Sequence, residues 1–142
     1  MQRGLITVLA GAAILGFGLS VSAQSNTFKA RLSPVPVESN NVAAITGSGS
    51  VIAVLTGASL SIRGTFEGMK SPATLAQIHL GPRGVRGPVM FDLTVTKAVS
   101  GTISGTIMLT PVQVEALKQS RFYVQVHSEK APDGNLWGWI LP

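Results

Sequence analysis

Glycine, proline and serine recur roughly every eight to twelve residues, and the stretches between them are short and apolar; no other feature restricts the fold as much. Segments this short are predicted to be strands, and the spacing suits a β-sandwich or barrel. Phe28, Ala30 and Leu32 alternate with Lys29 and Arg31, which gives one buried face and one wet face. Further strands are predicted over residues 50–55, 60–66, 75–80, 89–95, 102–109, 122–127 and 136–141. Pro34 and Pro36 lack the N–H of a central strand, so an edge position is expected there.

One stretch reads as a helix. Thr110 can cap it, Pro111 suits the first helical position, and Gln113 three residues after the cap completes a capping box. Val114 and Leu117 supply a small apolar face, so the helix is expected to be short.

The first residues have a different character. Met1, Gln2 and Arg3 precede an apolar run over residues 4–19, and Ser20, Val21, Ser22 and Ala23 follow. A positive start, an apolar middle and a small-residue exit mark a secretory signal peptide, here residues 1–23, with cleavage expected after Ala23. The alternative is an uncleaved membrane anchor, since about 20 apolar residues just span a bilayer. Residues 24–142 are then expected to form one domain in the periplasm or outside the cell. The chain has no cysteine, which excludes disulfides and a lipid-modified cysteine, so an apolar core must hold the domain.

Formal net charge is +5, and Arg3 of the leader contributes one of those charges. The Lys and Arg residues are scattered singly, which argues against nucleic-acid binding. Gly81, Gly84 and Gly87 recur every third residue, but over too short a span for a collagen helix. They also lack the Lys and hydroxyl of a phosphate loop, so a glycine-rich turn carrying Arg83 and Arg86 is expected.

Ala76-Gln77-Ile78-His79-Leu80-Gly81-Pro82 and Tyr123-Val124-Gln125-Val126-His127-Ser128 resemble two hallmark motifs of the CHRD family, named after chordin. Pro132-Asp133-Gly134-Asn135-Leu136-Trp137-Gly138-Trp139-Ile140 resembles the third, and the three stand in the family's order. The resemblance implies an all-β Greek-key sandwich or barrel, immunoglobulin-like or similar to copper/zinc superoxide dismutase, with one short helix before the penultimate strand. It implies little about activity, because the family has no settled biochemical role, and its bacterial members are commonly exported.

His79 and His127, the two histidines of the chain, each lie inside one of these motifs. Period-two geometry puts Gln77 and His79 on one strand face, and Tyr123, Gln125 and His127 together on another. If the two strands approach, a polar cluster forms. Copper or zinc is one reading, since neutral imidazole ligates both; the other is that both histidines brace strand ends through local hydrogen bonds. Many relatives carry His-x-His at the first motif, whereas Gln77 stands here in place of the first histidine. Two histidines fall short of a zinc ligand set, so no metal is assigned and superoxide dismutation is not expected. No Gly-x-Ser-x-Gly elbow occurs, and no motif ties Asp92 or Asp133 to a histidine, so no catalytic residue is assigned.

Trp137 and Trp139 point to one side of the last strand, and Leu136 and Ile140 to the other. The family pattern is usually polar at the two tryptophan positions, which implies that the indoles lie on the outer face. Exposed aromatic area of this kind marks an interface, a sugar platform or a membrane-proximal surface; the alternative is that a loop or the helix covers it. Gly138 marks a bulge or a close backbone approach. The expected function is an exported, non-enzymatic binding or structural module with a protein or glycan partner. The alternatives are a copper- or zinc-binding protein centred on His79 and His127, and a homo-oligomer joined through the tryptophan strand.

Overall fold

The structure, a computed structural model, describes residues 25–142 together with Gly18. The expected leader, its cleavage after Ala23 and the anchor alternative lie outside the described residues.

Eight strands and one helix follow in the order β1 (Ser25–Pro34), β2 (Ser48–Thr56), β3 (Ser59–Glu67), β4 (Ala73–Leu80), β5 (Val89–Val95), β6 (Gly101–Met108), α1 (Pro111–Lys118), β7 (Phe122–Ser128) and β8 (Leu136–Trp139). They close into a barrel ordered β1-β2-β3-β6-β5-β4-β7-β8, and β8 pairs back onto β1. β4, β5 and β6 run backwards round the barrel between β3 and β7, which makes two overlapping Greek keys. The all-β Greek-key class is therefore observed, as a closed antiparallel barrel with its short helix before the penultimate strand.

Alternation fills the barrel. Phe28, Ala30 and Leu32 of β1, Val51, Ala53 and Leu55 of β2, and Leu60, Ile62 and Phe66 of β3 all point inward and are buried. Apart from the two alanines, each such side chain contributes about 1.5–3 kcal/mol on leaving water. The helix has the expected cap: Gln113 N–H donates to Thr110 Oγ1, and Thr110 N–H donates to Gln113 Oε1. Leu117 carries its buried face.

A closed barrel has no edge strand, which corrects the position expected for the prolines. Pro34 is the last residue of β1 and pairs with Leu136. Val35 supplies the next donor, 3.0 Å from the Asn135 carbonyl, so the missing proline N–H costs no ladder bond.

β7 departs from simple alternation. Its inward residues Phe122, Val124 and Val126 are buried in the core, but Tyr123 and Gln125 on the outer face are buried as well. Two loops cover them, residues 81–88 after β4 and residues 129–135 after β7.

Candidate functional site

Strand register brings the sequence-predicted residues together. β4 pairs with β7 so that His79 opposes Tyr123 and Gln77 opposes Gln125. β8 lies on the other side of β7, with Trp139 opposite Tyr123 and Trp137 opposite Gln125. With His127, two residues beyond Gln125 on β7, all seven share the outer face of three neighbouring strands, and the two faces expected from periodicity are one surface. A cavity of about 230 Å³ opens there, lined among others by Gln77, His79, Arg86, Tyr123, Gln125 and His127.

Gly87 organises one side of the cluster. Its N–H donates to Tyr123 Oη at 2.9 Å, and its carbonyl accepts from His79 Nδ1 at 2.9 Å and from Tyr123 Oη at 3.3 Å. A side chain at Gly87 would collide with the Leu80 carbonyl, so this close return of the loop needs glycine. The His79 and Tyr123 rings stack, 4.9 Å between centroids and 19° between planes.

The second loop holds the other side. His127 Nδ1 lies 2.7 Å from the Pro132 carbonyl, and Gln125 Nε2 donates to the Asp133 carbonyl at 3.0 Å and to His127 Nε2 at 3.3 Å. A carbonyl only accepts, so the Nδ1 of each imidazole carries a proton, and in the neutral tautomer that this fixes the lone pair lies on Nε2. His79 Nε2 and Gln125 Oε1 are buried without a hydrogen-bond partner. Burial holds the His127 pKa below its ordinary 6.5; the hydrogen bond to Pro132 works against this, His79 and Arg86 add to it, and Asp133 weakly opposes it.

Both tryptophans lie half-buried beside the cluster, outside the cavity's lining. Trp139 Nε1 donates to the Gly81 carbonyl at 2.9 Å, and its ring lies 4.6 Å from Tyr123 and 4.8 Å from Trp137. The Arg86 guanidinium sits over Trp137 at 5.7 Å and donates to the Asp133 carbonyl at 2.9 Å, tying the two loops together. Gly138, between the tryptophans, marks a close approach: a Cβ there would meet the Arg31 carbonyl of β1. Gln77 donates to Asp92 Oδ1 on β5 at 2.8 Å.

Sequence reasoning placed Arg86 in a turn and gave no role to Arg86, Gly87, Asp92 or Asp133. The glycine-rich stretch directly after His79 was the available signal, since only a tight return brings a loop back over the strand it has just left. A larger hollow of about 340 Å³ lies across the barrel at Arg31, Ser50, Thr65 and Glu67. Those four side chains make no hydrogen bond to one another, unlike the cluster at β4 and β7.

Fold and site together define a small Greek-key barrel whose loops cover a polar and aromatic outer face. The family model for the CHRD domain matches residues 28–140, and the chain belongs to the CHRD family. No curated protein and no solved structure matches it.

Proposed function

We propose that this protein is an exported, non-enzymatic CHRD-domain module that binds a partner at the loop-covered face of β4, β7 and β8. The observation that carries the reading is the double burial of β7. Two loops, tied to each other by Arg86, fold a cavity over Gln125, and two half-buried indoles pack beside the cluster outside its lining. That arrangement suits holding a ligand, because each imidazole Nδ1 is engaged by a backbone carbonyl rather than poised beside a nucleophile. Export rests on the leader-like residues 1–23 and places the work in the periplasm or outside the cell. The partner is a protein or a glycan, since half-buried aromatic side chains favour both.

Capture from periplasmic extract by the full chain, with Trp137→Ala as the control, tests the face. Loss of the captured species with the variant supports the reading. Equal recovery by both proteins removes the tryptophans from the site.

A second reading, a copper- or zinc-binding protein centred on His79 and His127, is favoured by one specific observation. Protein-bound metals are held by imidazoles whose second nitrogen is hydrogen-bonded, and both rings are oriented in that way. Elemental analysis of untagged protein, followed by copper and zinc titration, tests it. Stoichiometric metal is the expected result, and its absence ends this reading.

A further inference from the structure

We infer that the outer face of β1, β2 and β3 binds a phosphate monoester, held between Arg31 and Arg63 over the hydroxyls of Ser50 and Thr65, with Glu67 accepting its proton. This site lies across the barrel from the loop-covered face and does not depend on the reading given to that face.

The first support is convergence of charge. Cations that stand singly in the sequence meet on this face. Arg31 pairs with Ser50 and Ser50 with Thr65, while Lys29 pairs with Ile52 and Ile52 with Arg63. Two cross-strand rows therefore lie side by side, and Arg31 and Arg63 occupy diagonal corners, roughly 12 Å apart at Cα. Both are exposed. Among the described residues the arginine side chain that donates a hydrogen bond is Arg86 and the ion pair is Lys118 with Glu115, which leaves both guanidinia unpaired. Glu67 is the one acidic residue of the three strands, so two bare forks and Lys29 leave the face positive.

The second support is the hollow between them. Two adjoining cavities of about 240 and 340 Å³ share Ser50 and Thr65; Arg63 and Ile52 border the first, and Arg31, Ser48 and Glu67 the second. Gly49 and Gly64 set the floor. A Cβ at Gly49 would press on the Thr65 carbonyl and one at Gly64 on the Ser50 carbonyl, so β2 and β3 close up here only with glycine. The backbone sinks toward Leu32 and Val51, and the outer surface dips beneath the two hydroxyl residues.

Donor geometry selects the ligand. A carboxylate has two coplanar oxygens, which one guanidinium fork satisfies. A phosphoryl group offers three oxygens, enough for forks from both sides and for the hydroxyls between them. Glu67 then separates phosphate from sulfate. A phosphate monoester titrates at about pH 6 and so still carries a P–O–H for a carboxylate to accept. A sulfate ester carries none, and its oxygens meet only repulsion from Glu67.

The test is amide NMR titration of the full chain at about pH 6 with methyl phosphate and, in parallel, methyl sulfate. Shifts centred on Ser50 and Thr65 are expected in the unmodified protein, a readout that needs no variant to fold. Arg31→Gln and Arg63→Gln are each expected to weaken methyl phosphate binding about fivefold or more. Arg121→Gln, the same charge removed elsewhere, is expected to leave it unchanged, and Glu67→Gln to erase the preference over methyl sulfate. Vesicle flotation places the ester. Binding to phosphatidic acid but not to the diester phosphatidylglycerol supports a lipid source, and methyl phosphate binding without flotation supports a soluble one. No shift at Ser50 and Thr65, or binding as sensitive to Arg121→Gln as to Arg31→Gln and Arg63→Gln, overturns the inference. Equal affinity for the two methyl esters, or equal flotation with the two lipids, overturns the choice of a phosphate monoester.

Discussion

Tyr123 and His79 oppose each other across β7 and β4, stack at 4.9 Å, and both end on the backbone of Gly87. One strand pair thus fixes the height of the loop above it. The phenol accepts from the Gly87 N–H while the imidazole donates to the Gly87 carbonyl, so the loop is held through both of its peptide groups at that residue.

Tyr123→Phe keeps the ring stack and deletes the acceptor for Gly87 N–H. The variant is expected to lose about 1–3 kcal/mol of unfolding free energy, the cost of a buried donor left unpaired. Denaturant titration measures it, and amide exchange should quicken at Gly87 ahead of the barrel strands. A variant as stable as the parent would mean that water replaces the phenol without cost.

Arg86→Ala should behave differently. Its guanidinium bridges two exposed loops through one carbonyl and one indole, and such contacts are worth about 1 kcal/mol or less each. Global stability is therefore expected to change little, while hydrogen exchange over residues 81–88 and 129–135 accelerates together. Acceleration confined to one loop would show that Arg86 does not couple them.

Asn135 is the buried tie behind the second loop. Fully buried, it accepts from Ser128 Oγ and donates to the Thr46 carbonyl, both at 2.8 Å. Asn135→Ala strands both partners, at about 1–3 kcal/mol for each group left unsatisfied. A fall of that order in the denaturation free energy is expected, and a loss well under 1 kcal/mol would count against the tie.

The barrel was legible from sequence because its signals are local. Alternation in Phe28, Ala30 and Leu32, turn residues at regular spacing and the Thr110–Gln113 box each act within a few residues, and each element was observed close to its expected range. The site was half legible. Motif position singled out His79, Gln125 and His127, but their union on one face depends on β4 pairing with β7, a contact between distant segments that periodicity does not encode. Arg86 and Asn135 lie in the glycine-rich turn and the third motif, but they act through loops folded back over strands, so no short-range pattern gave their contacts. The edge expected for Pro34 failed for the same reason, since barrel closure by β1 and β8 is a property of the whole sheet.

His127 gives the fold a pH dependence whose sign follows from its surroundings. Burial depresses its proton affinity most; Pro132 counters this, His79 and Arg86 reinforce it, and Asp133 weakly opposes it. The folded protein therefore binds this proton less readily than the unfolded chain, whose imidazole titrates near 6.5. The stability tied to neutral His127 is complete above that pH and is lost as pH falls below it, with the loss levelling off once the depressed folded value is passed. Urea midpoints measured with a chelator present should thus decline between about pH 7 and pH 5, and His127→Gln should flatten the decline in that window. Parallel curves for the two proteins, or a proton NMR midpoint for His127 at or above 6.5, would contradict the burial that the two loops impose.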